Sequence, residues 1–138
     1  MREFCITTIG CIGAFIVASL GGWDLALQTL MVFAIIDYIT GLLVAGVFKK
    51  SIKSESGALN SRAGFKALIK KGAMLLIVVV AYQLDILLDV GFVRYAAIIS
   101  FIINELISIV ENCGLMGLPI PTVFKNAIDI LNRKKDNE

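Results

Sequence analysis

Asp37, Asp85 and Glu105 each lie inside a long apolar run of the chain. Carboxylates so placed can carry a proton, attract a cation or hydrogen-bond between helices, and all three roles turn them away from lipid. An acid near the middle of a membrane span costs ~2.5–3.5 kcal/mol on insertion scales, while each Leu, Ile, Val or Phe returns ~0.3–0.6 kcal/mol. About a dozen such residues surround Asp37, so its run still favours insertion. Every Lys and Arg falls in a connection, at a span edge or in a terminus, so the sequence predicts no basic partner at mid-depth. The acids are then expected to be protonated or to meet water inside the protein. Ser100, Asn104, Ser108, Glu111 and Asn112 make a polar stripe with Glu105 beside it, and Tyr38, Thr40, Tyr82 and Gln83 offer further hydrogen-bond partners.

The elements that position these groups are long. Hydrophobic residues make up 58% of the chain and the mean hydropathy is +0.87, above the usual range for a soluble domain. Runs at about 4–22, 25–48, 72–92 and 95–118 carry few charges, and each can cross a hydrocarbon core of ~30 Å at ~1.5 Å per helical residue. The expected fold is all-α: one integral membrane bundle of four transmembrane helices. Arg2 followed by an apolar run and the small residues around Ala18 also fits a cleaved signal peptide.

Basic residues are concentrated in the connection 49–71, which holds Lys49, Lys50, Lys53, Arg62, Lys66, Lys70 and Lys71 against one acid, Glu55. The positive-inside rule puts this connection and the basic tail 119–138 in the cytoplasm, with both termini inside. Ser61 is the expected cap of a short helix on the membrane surface, where Arg62, Lys66, Lys70 and Lys71 would meet anionic lipid. After Pro119 and Pro121, Val123, Phe124, Ala127, Ile128 and Leu131 share one face of an amphipathic helix that must dock on the membrane surface, the bundle or a neighbouring subunit.

Small residues mark where helices can approach closely: Gly10, Ala14 and Ala18 in the first run, and Gly41 and Ala45 on one ridge with Asp37 in the second. Four short helices bury three acids and a polar stripe with difficulty, so a homo-oligomer is expected. These groups would then line its interfaces or a pore; stitching one bundle together is the plainer alternative.

The chain has no His, no phosphate-binding or dinucleotide motif and no cluster with metal-ligand spacing, so neither an enzyme nor a cofactor or metal is expected. Nothing in the charge pattern calls for nucleic acid. Cys5, Cys11 and Cys113 read as free thiols. A small proton- or cation-coupled transporter or channel and a membrane-lesion former both remain open on these residues.

"DYITG" from Asp37, "GFKALIKK" from Gly64, "NELISIVEN" from Asn104 and "GLPIP" from Gly117 resemble, in order and spacing, the toxin-secretion/phage-lysis holins of Gram-positive phages and prophages. The similarity runs from about Leu25 to Leu131. The resemblance implies a protein that accumulates in the bacterial cytoplasmic membrane and at a set time opens it, so that an endolysin, or in some cases a toxin, escapes. An antiholin, which blocks such a partner, fits the same features. The family brings no catalytic residues to carry over.

Overall fold

The computed structural model describes residues 1–137, and among them every regular element is a helix. In chain order these are α1 (Arg2–Ser19), α2 (Leu25–Gly46), α3 (Ser61–Leu88), α4 (Val93–Leu115) and α5 (Thr122–Asp136). The first four are long and apolar enough to cross a membrane.

Local chemistry sets the ends. Asp24 caps α2 by accepting from the Leu27 N–H at 3.0 Å. Asn60 caps α3 by accepting from the N–H groups of Arg62 and Ala63, so the cap stands one residue before Ser61, where the sequence places it. The separate surface helix expected in the basic connection is absent. Arg62, Lys66 and Lys70 occupy the first turns of α3, which continues unbroken to Leu88. Nothing between Ser61 and Leu88 stops a helix, since the stretch has no proline and Gly64 and Gly72 cost only about 1 kcal/mol each. At 28 residues, α3 is ~42 Å long at ~1.5 Å per residue, more than a hydrocarbon core requires.

α4 is the centre of the bundle and packs against α2, α3 and α5. Leu20, Leu27, Leu30, Ala34, Met74, Val78, Ile98 and Ile102 form the core between them. The outward side chains are equally apolar, with Phe4, Ile9, Phe15, Leu76, Val80 and Leu87 among those largely exposed. A surface this greasy over several helices is solvated by lipid, not water.

Two placements differ from simple expectation. α1 buries no residue, and a Cβ built on Gly10 would meet nothing within 4 Å, so the Gly10, Ala14 and Ala18 ridge faces no part of its own bundle. α5 folds back along α4: Leu131 packs against the core cluster, and the Lys134 ammonium sits 5.8 Å from the centre of the Tyr95 ring, at the first turn of α4. Of the docking options open to this helix, the bundle is the one it takes.

Candidate functional site in the membrane-spanning bundle

Continuous helicity in α3 has one large consequence. Met74, Val78, Ala81 and Asp85 are its buried residues, and the same three-and-four spacing carried back one step falls on Lys71. The Lys71 ammonium lies 2.7 Å from an Asp37 oxygen and 2.7 Å from a Glu105 oxygen, with only 17% of its side chain exposed. The expectation that no basic residue reaches the acids is therefore overturned, and Lys71 does not belong with the surface bases Arg62, Lys66 and Lys70, all of which are exposed. The sequence hid this because Lys71 ends a basic stretch that reads as connection. The signal was the periodicity of the apolar residues after it.

Asn112 completes the cluster from α4. Its amide donates to the Asp37 carboxylate at 3.1 Å, to the Asp37 backbone carbonyl at 3.3 Å and to the Thr40 hydroxyl at 2.9 Å. Gly41 borders the amide: a Cβ there would stand 3.8 Å from the Asn112 amide nitrogen, an ordinary contact. Ala45, one turn on along that ridge, is buried. Three helices are thus tied by one cation, two carboxylates and an amide, and among the described residues no buried side-chain polar atom lacks a partner. Such a network, fully satisfied, fixes helix register; partly broken, it strands charge in a low-dielectric interior.

Asp85 has a different task. Its two oxygens accept from the backbone N–H groups of Val93 at 2.9 Å and Arg94 at 3.0 Å, so it caps α4, whose own Phe92 supplies no side-chain cap. These contacts are those of a structural cap at the far end of the bundle from Lys71, not of a pore lining. Beside it, Arg94 is 8% exposed and ties the turn between α1 and α2 to α4. Its guanidinium donates to the Leu20 and Gly22 carbonyls and, at 2.6 and 3.1 Å, to the Asp24 carboxylate. The hydrogen bond from Arg94 holds the Asp24 carboxyl below its ordinary value, helped by the Leu27 N–H and opposed by partial burial.

The stripe expected on α4 divides. Glu105 and Asn112 turn inward to the cluster, while Asn104 and Glu111 are exposed and Ser100 and Ser108 half-buried. These last four share one side of α4, open at Asn104 and bordered at Ser108 and Glu111 by a small pocket that Ser51 and Lys53 also line. On a helix that spans a membrane, an uncovered polar stripe is costly against lipid and calls for water or another protein surface.

A multi-span helical membrane protein, closed inside by an ion cluster and polar on one outer flank, is the class that fold and site define. The match to known proteins narrows it: the chain belongs to the bacteriophage holin family, whose model covers residues 14–133. That match begins within α1, earlier than the four motifs alone indicate. A probable holin of Bacillus phage phi105 is 31% identical over 113 residues, covering 81% of this chain and 78% of its own. An uncharacterised 14.9 kDa protein of Clostridium perfringens is 43% identical over 117 residues, 83% of each chain. An uncharacterised Listeria monocytogenes protein is 37% identical over 137 residues, 99% of this chain and 90% of its own. No solved structure matches.

Proposed function

We propose that this holin assembles from several copies in the bacterial cytoplasmic membrane and opens a lesion at a set time. The lesion releases an endolysin, or a toxin, from a cell whose cytoplasm holds the basic connection 49–71 of the protein. Family membership supports the class of activity, and one observation carries the mechanism: the outward polar stripe of Ser100, Asn104, Ser108 and Glu111 on a spanning helix. Each isolated copy exposes the stripe to lipid, and assembly relieves that cost by giving it protein or water. The Lys71 cluster holds the protomer closed and in register while copies accumulate. Arg62, Lys66 and Lys70, exposed on the first turns of α3, anchor that end of the bundle to anionic headgroups at ~1 kcal/mol per charge. The protein acts without catalysis or a cofactor.

The stripe is tested by making it apolar. A chain carrying Ser100→Ala, Asn104→Leu and Ser108→Ala should insert as well as the parent, yet lose its larger crosslinked species and open the membrane late or not at all. Unchanged timing of potential loss at equal expression would contradict the role given to the stripe.

A further inference from the structure

The bundle carries a second polar surface that neither the cluster nor the stripe uses. α5 packs on α4 through Ala127, Ile128 and Leu131, which leaves Lys125, Asn126, Asp129 and Arg133 exposed on its other side. Among the described residues Lys125, Asp129 and Arg133 form no ion pair. Because α5 runs back along α4 as far as Tyr95, this charged face lies within the thickness that α4 spans. A charged face there is as poorly served by lipid as the stripe is.

The two surfaces lie at one level. From the Lys134 and Tyr95 contact, Asn126 is eight residues back along α5 and Asn104 nine residues on along α4, which at ~1.5 Å per residue gives ~12 and ~13.5 Å. They also lie on different flanks. α5 covers α4 beside Val110 and Cys113, and at ~100° per residue Asn104 is about half a turn around α4 from Cys113. One protomer therefore cannot bring them together, whereas a neighbour translated and rotated in the membrane plane can. Their chemistry is complementary: amide against amide at mid-depth, and the Glu111 carboxylate ~10 Å along the axis from the level of Lys125, a gap the two long side chains close by leaning toward each other. Glu111 shares a small pocket with Lys53 but forms no ion pair with it among the described residues.

We propose that the α4 stripe of one copy docks on the charged face of α5 in the next copy of this chain. Resting on the holin reading above, this names the partner surface for the stripe. Two different patches on different flanks make a head-to-tail contact, which grows into rings or open arcs instead of stopping at a dimer. Assembly of that kind suits a lesion whose size is set by the number of copies.

The test is disulfide trapping in native membranes with Cys5, Cys11 and Cys113 replaced by serine. The full chain carrying both Asn104→Cys and Asn126→Cys should give a ladder of dimers, trimers and higher species on oxidation. Either cysteine alone should give little product, and the two single variants mixed should stop at the dimer. Glu111→Lys should weaken the ladder by about fivefold or more through like-charge opposition to Lys125, and Lys125→Glu in the same chain should restore it. Strong dimers from one single-cysteine chain would mean a self-complementary contact and overturn the proposal. No ladder from the double variant, while an amine crosslinker still traps large species and the membrane still opens, would place the interface elsewhere and leave the holin reading standing. No large species by either method and no opening by the parent chain would remove both.

Discussion

Lys71→Met should abolish the membrane-opening activity of this chain, and most of the lost stability should return when Glu105 is changed to Gln in the same molecule. Lys71 is the one cation between Asp37 and Glu105, each 2.7 Å from its ammonium. Taking it away leaves two carboxylates in the low-dielectric middle of the bundle, with the Asn112 amide reaching Asp37 but not Glu105. Removing one member of a buried ion pair costs about 3–5 kcal/mol, because the partner's charge stays buried without compensation. That is a large part of the stability of a small domain. Methionine keeps the length and apolar body of the side chain, so the effect reports charge rather than packing. With Glu105→Gln added, the remaining Asp37 can share a hydrogen bond with the new amide. The measurement is the amount of protease-resistant protein in isolated membranes together with the time of potential loss. Equal resistance and timing for parent and Lys71→Met would show that the cluster does not hold the bundle.

Gly21→Ala should be nearly as damaging, although it adds one methyl group far from the cluster. Gly21 has φ +90°, a conformation L residues adopt at a cost. A Cβ there would also fall 2.5 Å from the Arg94 Nε, 2.7 Å from its Cδ and 2.8 Å from the Tyr82 ring. Arg94 cannot step aside cheaply, since its guanidinium is fixed by the Leu20 and Gly22 carbonyls and by Asp24. The expected outcome is a protomer whose α1–α2 turn separates from the start of α4, with a cost of several kcal/mol from backbone strain and lost buried hydrogen bonds. Protease cleavage at the turn in membrane-inserted protein should rise by tenfold or more relative to the parent. By contrast Gly22→Ala, at φ +104° but with nothing within 4 Å of the added Cβ, should pay the backbone strain without the clash. A smaller effect there would assign the difference to Arg94.

Much of this architecture is legible in the chain, because a bilayer leaves few choices. Apolar runs of span length must become helices, since only a helix satisfies its own backbone in hydrocarbon. The runs expected at 25–48 and 95–118 accordingly became α2 and α4 with bounds shifted by at most three residues. That Asp37, Glu105 and Asn112 lie deep in their apolar runs is also legible. Their partner is not. Assigning Lys71 to a surface helix followed from reading the basic connection as ending at residue 71, whereas helix α3 ignores that boundary and carries its buried face through it. In sequence the stripe on α4 reads as one feature because Glu111 and Asn112 are adjacent. On a helix, neighbours in sequence point about 100° apart, and one of the pair faces Asp37 while the other faces outward. Asp85 looked like a third intramembrane acid until the start of α4 supplied two backbone donors for it. α5 was legible as amphipathic, but which surface it chooses depends on the shape of α4, which no local pattern records.

The holin role requires that the chain by itself open a bacterial membrane widely enough for a folded protein to pass. Membrane potential should be recorded in bacteria expressing this chain alone, while the medium is assayed for a cytoplasmic reporter enzyme after an endolysin is supplied from outside. An abrupt loss of potential after a delay, followed by release of the enzyme, is the predicted result. A gradual or substrate-dependent change in potential, with the enzyme retained inside, would contradict it and make the carboxylates around Lys71 an ion-coupling site instead.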